Sequence, residues 1–170
     1  MKYISTRDNT KEYNFEYIFI KGLADDGGLF IPKTLKRFTN EELSKLKNLN
    51  YNDLSTEIIN LFSTDFISKK ELSSLINKSY STFREKEVVK ISSVGDLKLL
   101  ELFHGPTLAF KDIAMQLIGN LYEYYLSKND KKINIVVATS LKAKVGPWNN
   151  SNNFISPTFE SLTTSFSLNV

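Results

Sequence analysis

Between Phe110 and Tyr125 the apolar residues recur at helical spacing. Winding the segment at about 100° per residue gathers Phe110, Ala114, Leu117, Ile118, Leu121 and Tyr125 on one arc and sets Asp112, Gln116, Asn120 and Glu123 opposite. The pattern predicts an amphipathic helix over "LAFKDIAMQLIGNLYEYYL" with one anomaly: Lys111 falls inside the apolar arc, between Ile118 and Tyr122. The apolar run "LKLLELF" before it and "INIVVATS" after the polar turn "SKNDKK" both read as strands. Strand, helix and strand in this order form a β-α-β unit, whose connection favours two parallel strands with the helix packed on one face. Ligands in open α/β sheets gather beyond the carboxyl ends of strands, where both "HGPTLAFK" and "ATS" lie.

The first half of the chain has a different rhythm. "MKYIST" reads as a short strand and "NFEYIFIKGLA" as a helix opened by Asn14 and closed by Gly22. In "ADDGGLFIP" the aspartates shape a turn at Asp26-Gly27-Gly28, a better use for them than metal binding, before a strand stopped at Pro32. Thr39 with Glu42 three residues on is a capping-box pattern opening "NEELSKLKNL". "YNDLSTEIINLFSTDF" and "SKKELSSLINKSYSTFR" are two further amphipathic helices, their Leu, Ile and Phe spaced as core faces. From Leu141 onward "LKAKVGPWNNSNNFISPTFESLTTSFSLNV" is rich in Asn, Ser and Thr, with no clear period and weak prospects for folding alone. These shifts divide the chain at residues 1–85, 86–140 and 141–170.

Composition narrows the function classes. The chain has 170 residues, room for one ordinary domain or a small one plus part of another. Its 41% hydrophobic and 24% charged residues are those of a globular protein. The net charge of +3 is spread among acids without a basic block, so neither nucleic acid nor a membrane surface is expected as a partner. The absence of cysteine removes disulfides, thiol catalysis and zinc thiolate sites, and a single histidine makes a histidine metal site improbable. No apolar run reaches membrane-span length and the N-terminus lacks a signal-peptide core, which together predict a cytoplasmic protein. The chain has no GxGxxG, P-loop or GxSxG pattern.

Lys111 has two readings. In one, its stem lies on apolar neighbours while the ammonium reaches water. In the other, Thr107 is the N-cap and Lys111 sits in the first helical turn, where the helix dipole and apolar burial both disfavour its charge. A neutral lysine amine attacks aldehydes to form a Schiff base, and a helix start also offers backbone N–H groups to an anion. His104 is either a loop-structural residue or a general acid or base, with no carboxylate partner apparent in the sequence.

"ELFHGPTLAFKDIAMQ" closely resembles the pyridoxal-phosphate lysine motif of threonine synthases. "STR" at 5–7 and "KGLADDGGLFIP" at 21–32 resemble the same family's N-terminal signature, in the family's order and at about its spacing. The resemblance covers about residues 1–140. It implies an α/β chain: a small, mostly helical N-terminal domain followed by the start, one β-α-β unit, of a fold-type II pyridoxal-phosphate enzyme domain. It further implies the family reaction, in which O-phospho-L-homoserine and water give L-threonine and phosphate, a carbon–oxygen lyase chemistry on a small-molecule substrate. Lys111 matches the lysine that binds the cofactor covalently and acts in catalysis, while Phe110 and Asp112 match motif neighbours with positioning roles.

After Ser140 the sequence departs from that family. The strand matching "INIVVATS" runs there into a glycine-rich Gly-Asp-Thr-Gly loop, whereas here "LKAKVGPWNN" follows. Leu141, Lys142 and Ala143 do not offer the close backbone approach that glycine permits. The expectation is an N-terminal fragment, its frame lost after Ser140 by frameshift, truncation or sequencing error, that retains the cofactor lysine without most of the pocket and is inactive alone. The alternative is a non-catalytic binding or regulatory protein that keeps the N-terminal domain.

Overall fold

The computed structural model describes the backbone of residues 1–129, 134–137 and 164–167, and the side chains of 1–129. The chain divides into two compact units, Met1–Lys78 and Ser79–Val170.

The first unit opens with β1 (Tyr3–Ser5). Asn14 then accepts the Tyr17 N–H at 2.8 Å and starts α1 (Phe15–Lys21), which ends at Gly22, with φ of +74°. A residue without Cβ takes that left-handed C-terminal position without strain, so the glycine stops the helix at low cost. β2 (Phe30–Pro32) returns antiparallel to β1 with Ser5 opposite Phe30 and Tyr3 opposite Pro32. α2 (Asn40–Leu46) carries the full capping box: Glu42 N–H donates to Thr39 Oγ1 at 3.2 Å and Thr39 N–H donates to Glu42 Oε2 at 2.9 Å. α3 (Tyr51–Ser63) is capped by Asn50, whose Oδ1 accepts the Asp53 N–H at 2.9 Å. Ser68 and Glu71 exchange the same reciprocal bonds at the start of α4 (Lys69–Tyr80). Each of these ends is satisfied by residues within three positions of it, which is why the sequence predicts them well.

The apolar interior of this unit gathers Tyr3, Ile67, Leu72 and Ile76. Beside Tyr3 lies an aromatic cluster in which the rings of Phe15, Phe19 and Phe66 meet at centroid distances of 5.4–5.6 Å. The Tyr3 hydroxyl crosses from β1 to donate to the Phe62 carbonyl of α3 at 2.8 Å. Burial, with a smaller contribution from Asp65, pushes the Tyr3 phenol up to about 12.

The second unit begins with the last residues of α4 and continues into a hairpin of β3 (Lys90–Val94) and β4 (Leu97–Glu101), joined by Gly95 and Asp96. Gly95 takes φ of +58°, the left-handed region that a two-residue hairpin loop demands and that glycine enters freely. β3 was not expected from the sequence. Its register puts Ile91 opposite Leu100 on one face and Val94 opposite Leu97 on the other, and all four side chains are exposed. Apolar residues on both faces are the composition of strands that a sheet covers on two sides.

α5 (Asp112–Lys128) follows, then β5 (Asn134–Val137) and β6 (Thr164–Ser167), which pair antiparallel. The strand, helix and strand order of the expected β-α-β unit is present as β4, α5 and β5. The parallel pairing of its two strands is not made among the described residues, because β4 pairs with β3 and β5 with β6, both antiparallel. A two-residue hairpin closes β3 on β4 at far less loop entropy than a crossover of helical length. Apart from β6, what was expected of residues 141–170 lies outside the described residues.

α5 also differs from its sequence reading. It starts four residues later than the apolar pattern suggests, because Leu108 adopts φ of +63° and interrupts any helix begun at Thr107. Leu117, Leu121 and Tyr125 are buried as expected, whereas Phe110, Ala114 and Ile118 are exposed and Asp112, assigned to the polar side, is only 3% exposed. Two bonds tie the helix to the end of α4: Tyr80 OH donates to the Ile113 carbonyl and Asn120 Nδ2 donates to Ser79 Oγ, each at 2.9 Å.

Tyr3→Phe keeps the ring and removes the bond to Phe62. Urea unfolding is expected to show a loss of about 1 kcal/mol, with about 3 kcal/mol or more for Tyr3→Ala.

Candidate active site

Lys111 is presented by a short loop between the end of β4 and α5, and each residue of that loop has an identifiable reason. Where β4 ends, His104 turns inward and is 8% exposed. Its Nε2 lies 2.8 Å from Glu101 Oε2, and its carbonyl accepts the Arg84 N–H at 2.9 Å. The Phe103 ring packs against the imidazole at a centroid distance of 4.7 Å. Hydrogen bonds from Ser92 and then from His104 hold the Glu101 carboxyl below the usual carboxylate range. His104 therefore has the carboxylate partner that the sequence did not reveal, supplied from the last position of the strand that leads to it.

Gly105 is required by close approach. A Cβ built there would lie 2.3 Å from both Cβ and Oδ2 of Asp112, closer than real Cβ atoms come to anything. The Asp112 carboxylate reaches back across the loop to Thr107, accepting its N–H at 2.7 Å on one oxygen and its hydroxyl at 2.6 Å on the other. The roles are thus the reverse of those expected: Thr107 does not cap the helix, and the first helical residue instead ties down Thr107. Between them Leu108 is the one non-glycine residue with positive φ among the described residues, and its N–H donates to the Gly105 carbonyl at 3.2 Å. A left-handed leucine costs about 1–3 kcal/mol and persists only where its surroundings over-determine it.

Lys111 then stands at the N-cap position of α5 with φ of −66° and ψ of −20°, already helical, and its carbonyl accepts the Met115 N–H at 2.9 Å. Its side chain is exposed, so the apolar burial expected of it is not found. The helix face it belongs to, with Phe110 at 62% exposure and Ala114, points outward, while the buried face runs through Leu117, Leu121 and Tyr125. The arrangement offers an accessible primary amine on a backbone fixed on both sides. That chemistry fits covalent attachment of an aldehyde cofactor, the group that a lysine captures as an imine. Within the same motif the Gln116 side-chain Nε2 is buried without a hydrogen-bond partner among the described residues.

The two N-terminal signature segments form one cluster within the first unit. Asp26 Oδ1 accepts the Ser5 hydroxyl at 2.8 Å and the Gly28 N–H at 2.7 Å, while Arg7 Nη1 donates to the Asp26 carbonyl at 3.0 Å. Thr6 and Leu29 exchange two more bonds. A Cβ at Gly28 would lie 2.2 Å from Ser5 Oγ, which explains the glycine. Asp26 shapes a turn, as read from the sequence. Asp25 forms an exposed ion pair with Lys21 at 2.6 Å, and the described residues hold no group of three or more side chains suited to a metal ion. No helix among them is long and apolar enough to cross a membrane.

Residues 2–80 match the family model described as threonine synthase N terminus. The chain is 43% identical over 154 residues to the threonine synthase of Saccharomyces cerevisiae, covering 81% of this chain and 30% of that one. It is 40% identical over 141 residues to the threonine synthase of Pseudomonas aeruginosa, with 82% and 30% covered, and 39% identical to human threonine synthase-like 2, with 82% and 29% covered. The chain thus spans about 30% of the length of the curated relatives it matches. Among solved structures it is similar to PLP-bound threonine synthase from Brucella melitensis, with a TM-score of 0.73 and 35% identity over 77% of this chain and 28% of that one. The yeast threonine synthase structure gives 0.71 and 44%, over 75% and 26%.

Because Glu101 ionises more readily folded than unfolded, it contributes stability above the ordinary carboxylate value of 4.5 that is lost as the pH falls through the lower folded value. Urea unfolding at a series of pH values is expected to show a shallower acid limb for Glu101→Gln than for wild type. Parallel limbs would contradict the hydrogen bonds that Ser92 and His104 give to the Glu101 carboxylate.

Proposed function

We propose, because the N-terminal part of this chain belongs to the threonine synthase family, that the chain is a fragment of such an enzyme, inactive alone, in which Lys111 is the residue that attaches pyridoxal phosphate in that family's chemistry. The observation that carries the reading is the exposed Lys111 amine, presented at the start of α5 by a loop whose backbone is held by Asp112. The division into residues 1–85, an N-terminal domain, and residues 86–140, the start of the cofactor-binding domain, belongs to the same reading. So do a cytoplasmic setting and a small-molecule substrate.

In the family reaction O-phospho-L-homoserine loses phosphate from its γ-carbon, and water adds at the β-carbon to give L-threonine. When bound, pyridoxal phosphate supplies an electron sink for charge that develops on the substrate carbons. Lys111 Nζ has two tasks. In the complete enzyme it would hold the cofactor covalently, and as a free amine it would take and return protons at the substrate carbons as a base and an acid. The helical φ and ψ of Lys111 fix where its side chain leaves the backbone, so the amine works from one origin in both tasks.

The test is to incubate the chain with pyridoxal phosphate, reduce with borohydride and map the modified peptides. The phosphopyridoxyl group is expected on the peptide that contains Lys111 and is expected to disappear from it in Lys111→Ala, with total incorporation reduced. Label spread evenly over the lysines, or unchanged in Lys111→Ala, would contradict the proposal.

A further inference from the structure

The loop that presents Lys111 holds a strained leucine, a glycine with no room for a side chain and a buried carboxylate. All three converge on one short stretch of backbone. Asp112 follows Lys111 directly, and its two oxygens accept the Thr107 N–H and hydroxyl at 2.7 and 2.6 Å. Its Cβ and Oδ2 fill the space that a side chain at residue 105 would need. Leu108, inside the loop so closed, is left-handed, and its side chain is about half exposed at 49%. What holds it is the loop closure, together with the bond from its N–H to the Gly105 carbonyl.

We propose that Thr107 and Asp112 are positioning residues for Lys111: the bidentate clamp between them, seated on Gly105, keeps Leu108 left-handed and brings the chain into α5 with the Lys111 amine facing outward. The inference rests on Lys111 being the cofactor lysine, and adds to it the pair that places the amine. A buried carboxylate bonded to an N–H and an O–H is an acceptor of the stronger, charge-assisted kind, and its directionality fixes both ends of the loop. With the clamp opened, Leu108 relaxes toward negative φ, and the residues ahead of α5 can continue the helix backward. That rotates the backbone origin of the Lys111 side chain.

The experiment uses the full chain and three variants, Thr107→Val, Thr107→Ser and Gly105→Ala, each checked for a retained cooperative melting transition above the assay temperature and an unchanged far-UV spectrum. Two readouts are taken, both as ratios to Lys86, an exposed lysine elsewhere in the same unit. One is the borohydride-trapped capture of pyridoxal phosphate; the other is the rate of reductive methylation by formaldehyde, which needs no cofactor site. Thr107→Val and Gly105→Ala are expected to lower Lys111 capture about tenfold and to change its methylation ratio about threefold, while Thr107→Ser, which keeps the hydroxyl, stays within about twofold of wild type. Wild-type ratios in both Thr107→Val and Gly105→Ala would overturn the proposal. If wild type itself fails to capture pyridoxal phosphate at Lys111, the cofactor reading falls and the methylation ratio alone decides the clamp. If Thr107→Val loses its melting transition, Asp112→Asn, which keeps the side-chain shape, takes its place, with the same two outcomes expected and overturning.

Discussion

The second unit depends most on one buried carboxylate. Asp112 lies in the first turn of α5, where negative charge is favoured by the helix dipole, and spends both oxygens on Thr107. A carboxylate taken out of water is costly unless its lone pairs are used, and here a backbone N–H and a hydroxyl use them. Three local facts follow from that satisfaction. Residue 105 must be glycine, Leu108 must take a conformation leucines avoid, and α5 begins at Asp112 with Lys111 just outside it. The strand side of the loop is held separately by the His104–Glu101 pair and by the Arg84 N–H on the His104 carbonyl.

The first unit solves a related problem by similar means. There Asp26 gathers the Ser5 hydroxyl and the Gly28 N–H, and Gly28 is glycine because Ser5 Oγ occupies the place of its Cβ. In both units a carboxylate bonded to one hydroxyl and one backbone N–H sits near a glycine whose missing side chain makes room. The likeness is one of means only, since the Asp26 turn leads from α1 into β2 and ties to Ser5 of β1, while the Asp112 loop presents Lys111. The Thr107–Asp112 closure costs little chain entropy because its residues are five apart in sequence, whereas Ser5 and Asp26 are 21 apart.

How much of this was legible in the sequence depends on how local each determinant is. Asn14, Gly22 and the Thr39–Glu42 box were readable because each satisfies backbone groups within a few residues of itself. Lys111 stood out because a cation interrupted an apolar helical pattern, and the motif around it then carried the family resemblance. The same periodicity misplaced the helix start and the buried face, since Leu108 breaks the winding that the apolar count assumed, and a satisfied Asp112 is buried where an isolated acid would be solvated. β3 was missed although a signal existed: Gly95-Asp96 between "KISSV" and "LKLLE" is a hairpin loop flanked by two short strands. Glu101 as the partner of His104 required knowing where β4 ends, which spacing alone does not tell.

The central claim is that Asp112 closes the loop and thereby places Lys111. Backbone amide hydrogen exchange of the full chain, read by nuclear magnetic resonance at Thr107, addresses it most directly, because that N–H is one of the two donors to Asp112. The account predicts exchange about a hundredfold or more slower than in an unstructured peptide, although Thr107 is an exposed residue. Exchange of the Thr107 amide at the unstructured rate would contradict it.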